Sequence, residues 1–257
     1  GHGLTINGSN GTFTGGSGTI TVQNDLVLSA GTFTAPSSTL SIVSFDDLVN
    51  PMVIPRGWTH TASGTFNSNN GTVEFITSTA CQNQPDIPKD NANLTINVDS
   101  AVPTSGTFNN LTVNLSVSGT ILTVPSNDTL TVNGAFIWTD GVIDTGTIDA
   151  KGAVTVSAGA DGHTTTTSLL SLTGTGSQTC ALNGGGAVSK LTINNSSATC
   201  TVEGTGTFTL EGSFTLTNGA YNGGSIANSF NSVTTAITIS GGTFIATSAT
   251  MTVFGSW

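Results

Sequence analysis

Three features of the sequence predict an all-β protein built as a parallel β-solenoid, with coils of about 20 residues and little or no helix. The first is a series of short runs in which apolar and polar residues alternate, such as 18–22, 110–114 and 129–133. The second is the triplet Gly-Thr-Phe, which recurs along the chain. The third is the tetrapeptide Leu-Thr-Ile-Asn, which occurs at 4–7, 94–97 and 191–194.

The alternating runs are typical of strands that bury one face, because successive side chains of a strand point to opposite sides. Pairs of Gly, Asn or Ser separate the runs every few residues. No segment shows the apolar period of a helix together with helix caps. Strands joined by tight corners are therefore expected throughout.

The Gly-Thr-Phe triplets set the predicted coil length. The first two begin at Gly11 and Gly31, so one coil takes about 20 residues, enough for three short strands and three corners. A β-sandwich also has many short strands but has no reason to repeat one triplet. We expect the triplet phenylalanines to point inward and stack between coils: Phe13, Phe33, Phe66, Phe108, Phe208 and Phe244.

A longer repeat is superimposed on the coils. We interpret 1–257 as a single repeat-built domain with units at about 4–93, 94–190 and 191–257, the last one incomplete. Segments 45–57 and 81–91 hold four of the seven prolines. Since proline cannot donate to a strand ladder, these two segments are predicted to be loop insertions that leave the coil.

Composition excludes several classes of function. Charged residues make up 7% of the chain against about 25% in typical proteins. The net charge is -10 and there are only four Lys and Arg residues, so a nucleic-acid partner is not expected. No apolar run approaches the roughly 20 residues of a membrane span, and no membrane insertion is expected. The surface is predicted to be hydroxyl and amide.

Acidic and histidine residues give weak signals for chemistry. Asp140, Asp144 and Asp149 are candidates for a calcium site or for acid catalysis on a polysaccharide, but their spacing matches no known calcium loop. The simpler explanation is solvated corner residues. The three histidines, His2, His60 and His163, lie far apart without a nucleophile motif. We predict no cofactor and no enzyme, with a β-helix polysaccharide-active enzyme kept as an alternative.

The cysteines do not have zinc-site spacing. Cys180 and Cys200 are about 20 residues apart, which is one predicted coil, and this places them within disulfide reach of each other. Two buried, unpaired thiols are the competing interpretation. Cys81 is predicted to stay free.

Threonine and asparagine carry two further hypotheses. Thr-x-Thr recurs, as at 12–14 and 32–34, and a flat array of threonines would match an ice lattice, so an ice-binding β-solenoid is a second alternative. The irregular spacing of the motif counts against it. Nine Asn-x-Ser/Thr sequons leave glycosylation open. They begin at Asn7, Asn10, Asn70, Asn93, Asn110, Asn114, Asn127, Asn194 and Asn195.

The repeat segments also carry a resemblance. With Gly-Thr-Phe-Thr, Asn-Gly-Thr-Val-Glu-Phe and Leu-Thr-Ile-Asn, the chain resembles the Thr/Gly/Asn-rich repeat regions of large bacterial surface and secreted proteins. The matching residues are 31–43, 56–75, 94–97 and 191–217. The resemblance implies a β-solenoid of the adhesin or filament kind, outside the cell or on its surface, with cell-surface glycans as a further partner.

The ends of the chain suggest how such a rod is used. Both ends are in repeat register and neither resembles a cap, so we expect end-to-end contact with copies of the chain or with other parts of a longer chain. The contact candidates are Leu4, Ile6, Val253, Phe254 and Trp257. The predicted function is that of an extracellular structural protein, a self-assembling filament subunit or a stalk segment of a giant adhesin.

Overall fold

The computed structural model describes residues 3–23, 25–45, 56–61, 63–78, 94–98, 106–116, 120–162, 167–231 and 237–254. Over these residues the chain is an all-β parallel β-solenoid of about nine coils, with roughly 22 residues per coil and no helix. The predicted fold class is confirmed, and the coil is slightly longer than expected.

The described residues form 27 strands. The first nine are β1 Leu4–Ile6, β2 Thr12–Thr14, β3 Ile20–Gln23, β4 Asp25–Leu28, β5 Gly31–Thr34, β6 Thr39–Phe45, β7 Arg56–His60, β8 Gly64–Asn67 and β9 Thr72–Ser78. The next nine are β10 Leu94–Val98, β11 Thr107–Phe108, β12 Asn110–Asn114, β13 Ile121–Thr123, β14 Thr129–Val132, β15 Phe136–Asp144, β16 Thr147–Ala150, β17 Val154–Ala160 and β18 Leu169–Leu172. The last nine are β19 Gln178–Asn183, β20 Ala187–Val188, β21 Lys190–Glu203, β22 Thr207–Leu210, β23 Phe214–Asn222, β24 Ala227–Phe230, β25 Ile237–Ile239, β26 Thr243–Ile245 and β27 Met251–Val253.

The strands stack into three faces of parallel ladders. The first face runs β1–β4–β7–β10–β13 and the second half of β15. The ladder β20–β22–β24–β27 continues it, joined by a 3.1 Å hydrogen bond from the Gly162 N–H to the Ala187 carbonyl. The second face starts as β2–β5–β8 and continues as β11–β14–β16–β18, the first halves of β21 and β23, and β25.

The third face is the longest continuous ladder. It runs β3–β6–β9–β12, the first half of β15, β17, β19, the second halves of β21 and β23, and β26. Two turns along it are clearly longer than the others, the turn from Leu40 to Val73 and the turn from Val73 to Leu111. They contain both predicted insertions, but residues 46–55 and 79–93 are not described, so that prediction stays open.

The interior of the rod is a column of apolar side chains, one set per coil. Leu26, Leu40, Trp58, Phe75 and Leu111 are completely buried, and the strand neighbours of Leu26, Phe75 and Leu111 are more exposed. This follows from the period-two pattern, because in-register stacking places each inward side chain over an inward side chain of the next coil. The column is one continuous hydrophobic cluster along the rod.

The phenylalanine ladder is confirmed for the first four triplets. Phe13 pairs in register with Phe33, and Phe33 with Phe66, and their ring centroids are 5.4 and 5.9 Å apart. Phe66 contacts Phe108 at 5.9 Å. Phe33, Phe66 and Phe108 are buried, whereas Phe13, in the first coil, is 37% exposed because no described coil covers it.

The prediction that all six triplet phenylalanines stack in one column is wrong for the last two triplets. Phe208 is buried on the first face in β22, beside Asn228, and Phe244 lies half-buried on the third face, stacked on Tyr221 at 5.1 Å. The coils differ in length. A sequence repeat that does not span a whole number of coils therefore begins on a different face. The Leu-Thr-Ile-Asn segments show the same shift, since β1 and β10 lie on the first face and β21 begins on the second.

The glycine that opens several triplets has a conformational reason. Gly31, Gly206 and Gly242 have φ angles of 81°, 92° and 76°, in the left-handed region that side chains disfavour. A Cβ at Gly31 would lie 2.5 Å from the carbonyl oxygens of Gly8 and Gly11 in the neighbouring coil. The triplet therefore marks a corner where coils approach closely and the strand that follows it.

Buried amides connect neighbouring coils at another corner. The Gln178 side chain, which is buried, donates to the carbonyls of Ala150 and Gly152 at 2.8 and 2.7 Å. It accepts a 2.9 Å hydrogen bond from the buried Asn195 amide. Because each group has partners, the cost of burying these polar side chains is compensated.

Tyr221 is a buried polar group near the last coils. Its hydroxyl donates to Asn228 Oδ1 at 2.7 Å, and the Asn228 amide donates to the carbonyls of Gly223 and Ile226. Burial disfavours the charged phenolate and raises the pKa of Tyr221 well above its ordinary value of 10.0. The folded chain therefore holds its one tyrosine neutral in alkaline solution.

Replacing Phe66 with alanine should lower the free energy of unfolding by about 3 to 5 kcal/mol, because it leaves a cavity between Phe33 and Phe108. Chemical denaturation followed by circular dichroism measures the loss. Phe13→Ala is the matched control, since the same ring at the open end is only partly buried and its loss should cost clearly less. Equal costs at the two positions would contradict the stacking.

Alkaline pH should destabilise the fold through Tyr221. Above pH about 10 the unfolded chain loses the phenolic proton while the folded chain keeps it, so stability falls as pH rises from there toward the raised folded pKa. Since Tyr221 is the only tyrosine, phenolate absorbance reports on it alone. The absorbance should rise together with loss of the β signal. Phenolate formation at the ordinary pKa in an intact fold would contradict the burial.

Candidate functional site: the hydroxyl face and the open ends

The second face carries a rank of outward side chains, one per coil, that we name the hydroxyl rank. Pairings along the ladder place these residues in register. The link from β8 to β11 is the contact between the Phe66 and Phe108 rings. Eight of the ten residues are threonine, and Ser171 is the one buried member: Thr12, Thr32, Thr65, Thr107, Thr131, Asp149, Ser171, Thr192, Thr215 and Thr238.

A second polar rank lies beside it, two residues further along most strands and three residues beyond Thr215, where the register shifts. Thr14, Thr34 and Asn67 are in register at one end. Toward the other end Asn194 pairs with Asn218, whose amide donates to the Asn194 side chain at 2.9 Å. Apart from the charged residues, the two ranks present hydroxyl and amide groups.

One charged cluster interrupts this surface. Lys151 Nζ lies 2.7 Å from Asp149 Oδ2, and the Thr173 hydroxyl bonds both residues. The cluster divides the hydroxyl rank into a stretch of five threonines, Thr12 to Thr131, and a stretch of three, Thr192 to Thr238. The threonines are unevenly spaced in the sequence because the coils differ in length. Parallel stacking of the coils nevertheless brings them into register on the second face.

The three acidic candidates do not converge. Asp140 lies on the third face, paired with Asn114, while Asp144 ends β15 on the first face beside Thr123. Asp149 lies on the second face in the charged cluster. Within the described ranges no group of three or more His, Cys, Asp or Glu residues could hold a metal ion. The expectation that the chain uses no cofactor stays a prediction.

The histidines are separated as well. His60 is buried in the rod, and its Nε2 lies 3.0 Å from the Gly64 carbonyl oxygen. His2 and His163 belong to segments that the structure leaves undescribed. His60 therefore bonds to backbone inside the rod, and the absence of enzymatic activity stays a prediction.

The two cysteines in neighbouring coils form a disulfide. Cys180 in β19 and Cys200 in β21 are direct register partners on the third face, with Cα atoms 4.2 Å apart. Both are buried, at 3% and 0% exposure. The bridge joins two adjacent coils covalently. Cys81 is outside the described ranges, so its predicted free state remains a prediction.

The sequons differ in accessibility. Asn7, Asn10, Asn70, Asn127 and Asn194 are exposed, and Asn110 and Asn114 are half-buried. Asn195 is 3% exposed and bonds to Gln178, so a glycan does not fit there. Asn93 is not described.

The N-terminal end of the described rod is open. Inward-facing Leu4, Phe13 and Ile20 are not fully covered and, with Val22 and Gln23, line a concavity of about 330 Å³. Ile6, another predicted contact residue, is 9% exposed and largely packed under its neighbours.

The C-terminal end of the described rod is open too. Ile239 is 43% exposed and Phe254 is 61% exposed, while Phe244 and Val253 are half-buried. Ile239 pairs with the buried Leu216, so it points inward and is exposed because no described coil lies above it. Trp257 lies beyond the last described residue.

The chain matches no protein-family model, no curated protein and no solved structure. No helix in the described part of the chain has the length and apolar character needed to cross a membrane.

Replacing both Cys180 and Cys200 with alanine should lower the free energy of unfolding by about 3 kcal/mol, because the bridge closes a loop of one coil in the unfolded chain. Denaturant titration with and without reductant measures the effect. The double variant should be insensitive to reductant.

Thiol counting on the unfolded chain is the control. One reactive thiol is expected before reduction and three after it, since the chain has three cysteines. Three thiols before reduction would contradict the disulfide.

Proposed function

We propose that the chain is an extracellular structural rod, a filament subunit or a stalk segment of a giant surface adhesin, that joins copies of itself end to end. The observation that carries the proposal is the exposure of inward apolar side chains at both ends. Phe13 and Ile239 occupy core positions of the solenoid but remain 37% and 43% exposed. A further coil from a second copy would bury them, which favours association.

Backbone groups support the same mode of contact. Every pairing along the three faces is parallel, so β1, β2 and β3 form one open edge and β25, β26 and β27 the other. Such edges have N–H and C=O groups to offer a new strand. Joining one edge to the opposite edge of the next copy repeats the same heterologous contact, which generates a filament.

The proposed extracellular setting rests on the disulfide and on the surface. Disulfides persist in oxidising compartments. Cys180–Cys200 ties two coils of a rod whose charged residues are few. The resemblance to repeats of bacterial surface proteins and the exposed sequons agree with this setting, and cell-surface glycans are proposed as a further partner.

Replacing Phe13 or Ile239 with aspartate should abolish end-to-end association while leaving the rod folded, because a charge would have to be buried in the joint. Sedimentation velocity and electron microscopy of the intact chain and its variants measure assembly. The matched control is Ile137→Asp, since Ile137 is 38% exposed on the side of the rod and should leave assembly unchanged.

Filaments or elongated oligomers of the intact chain, lost in both end variants, would support the proposal. A monodisperse monomer at high protein concentration would overturn it. Equal loss of assembly in Ile137→Asp would point to lateral contacts instead and would equally contradict the end-to-end joint.

A further inference from the structure

The hydroxyl rank has a regular two-dimensional geometry. Along the rod its threonines follow the spacing between stacked strands, about 4.8 Å, and across the strands the second polar rank lies two residues away, about 6.6 Å. Thr12, Thr14, Thr32 and Thr34 form one complete cell of this array. Backbone pairing holds this cell in place before any ligand arrives, whereas Thr65 and Thr107 are linked through the contact between the Phe66 and Phe108 rings.

Ordered water has closely similar spacings. In a tetrahedral lattice with O–H···O distances of about 2.75 Å, second-neighbour oxygens are about 4.5 Å apart and the perpendicular repeat is about 7.3 Å. The mismatches with the threonine array are about 0.3 and 0.7 Å. A threonine side chain adds a methyl group next to its hydroxyl, so the array offers both hydrogen bonds and an apolar surface to water.

Within the hydroxyl rank, charge is confined to one place; Lys190, which pairs with Leu169, lies elsewhere on the second face. Asp149 and Lys151 neutralise each other and lie between the two threonine stretches. Ions order their own hydration shells, so an uncharged stretch is better suited to a neutral lattice than a charged one. The five-threonine stretch from Thr12 to Thr131 contains no ionic side chain within the rank.

A polysaccharide is the competing ligand for such a polar surface. Sugar rings pack well on aromatic side chains, because the aromatic face is apolar. Among the described residues the exposed aromatic side chains are Phe13 and Phe254, and both belong to the open ends. The hydroxyl face therefore favours a lattice of water over a glycan.

We propose that the hydroxyl face is an ice-binding surface, with the Thr12-to-Thr131 stretch as its larger part and the Thr192-to-Thr238 stretch as its smaller part. The threonine hydroxyls and methyl groups hold a layer of water at lattice positions, and this layer joins the growing crystal. The proposal does not depend on end-to-end assembly, because it uses a side of the rod.

Thermal hysteresis and inhibition of ice recrystallisation by the intact chain test the proposal. We expect both activities in the unmodified protein. Thr32→Tyr should lose most of the activity and Thr215→Tyr a smaller share, since a bulky ring in the rank lifts the lattice from that part of the face. Thr155→Tyr is the matched control, because Thr155 is an outward threonine on the third face between Ile137 and Ala181.

Circular dichroism at the assay temperature checks that all three variants keep the fold. Absence of hysteresis and of recrystallisation inhibition in the folded, unmodified chain would overturn the proposal. So would equal losses in Thr155→Tyr and Thr32→Tyr. Retention on crystalline cellulose or chitin without any effect on ice would assign the face to glycans and would likewise overturn it.

Discussion

In-register parallel stacking of successive coils is the constraint on which the rest of this structure depends. Each strand takes its hydrogen bonds from the coils on either side, and each inward side chain is covered by inward side chains of those coils. Leu40, Val73 and Leu111 form such a column on the third face. Stability therefore resides between neighbouring coils, and a coil that lacks a neighbour leaves apolar surface open. The exposed Phe13 and Ile239 are direct consequences of this arrangement.

The same stacking orders the outer surface. When inward residues are in register, outward residues must be in register too, since side chains alternate along a strand. A strand with threonine at its outward position then contributes one member of a rank. The hydroxyl rank is one result of this register, and the buried Cys180–Cys200 bridge between two direct register partners is another. Surfaces of this kind suit contacts with extended or repeating partners. The filament proposal concerns the ends of the rod, and the ice-binding proposal concerns one side of it.

Differences in length between coils are accommodated at the corners. The turn between Phe136 and Val154 is short and the turn between Val73 and Leu111 is long, yet both keep the register of the third face. The short turn contains two left-handed glycines, Gly141 and Gly146. Variation at corners has little effect on the ladders, so repeats can drift relative to the faces, as the third Leu-Thr-Ile-Asn segment does.

The sequence by itself determined the fold class, because alternating runs separated by glycine and asparagine leave few alternatives to strands, and a recurring triplet indicates stacking. It also placed Cys180 and Cys200 one coil apart and indicated the inward direction of the early triplet phenylalanines, which are local consequences of the period. Only the tertiary structure decided which residues share a face. Phe208 and Phe244 left the predicted column, and the hydroxyl rank emerged from threonines at unequal separations along the chain. The physical reason is that the number of residues in each coil depends on how its corners pack against the neighbouring coils. Small differences in this number accumulate along the chain until they change the face on which a residue lies.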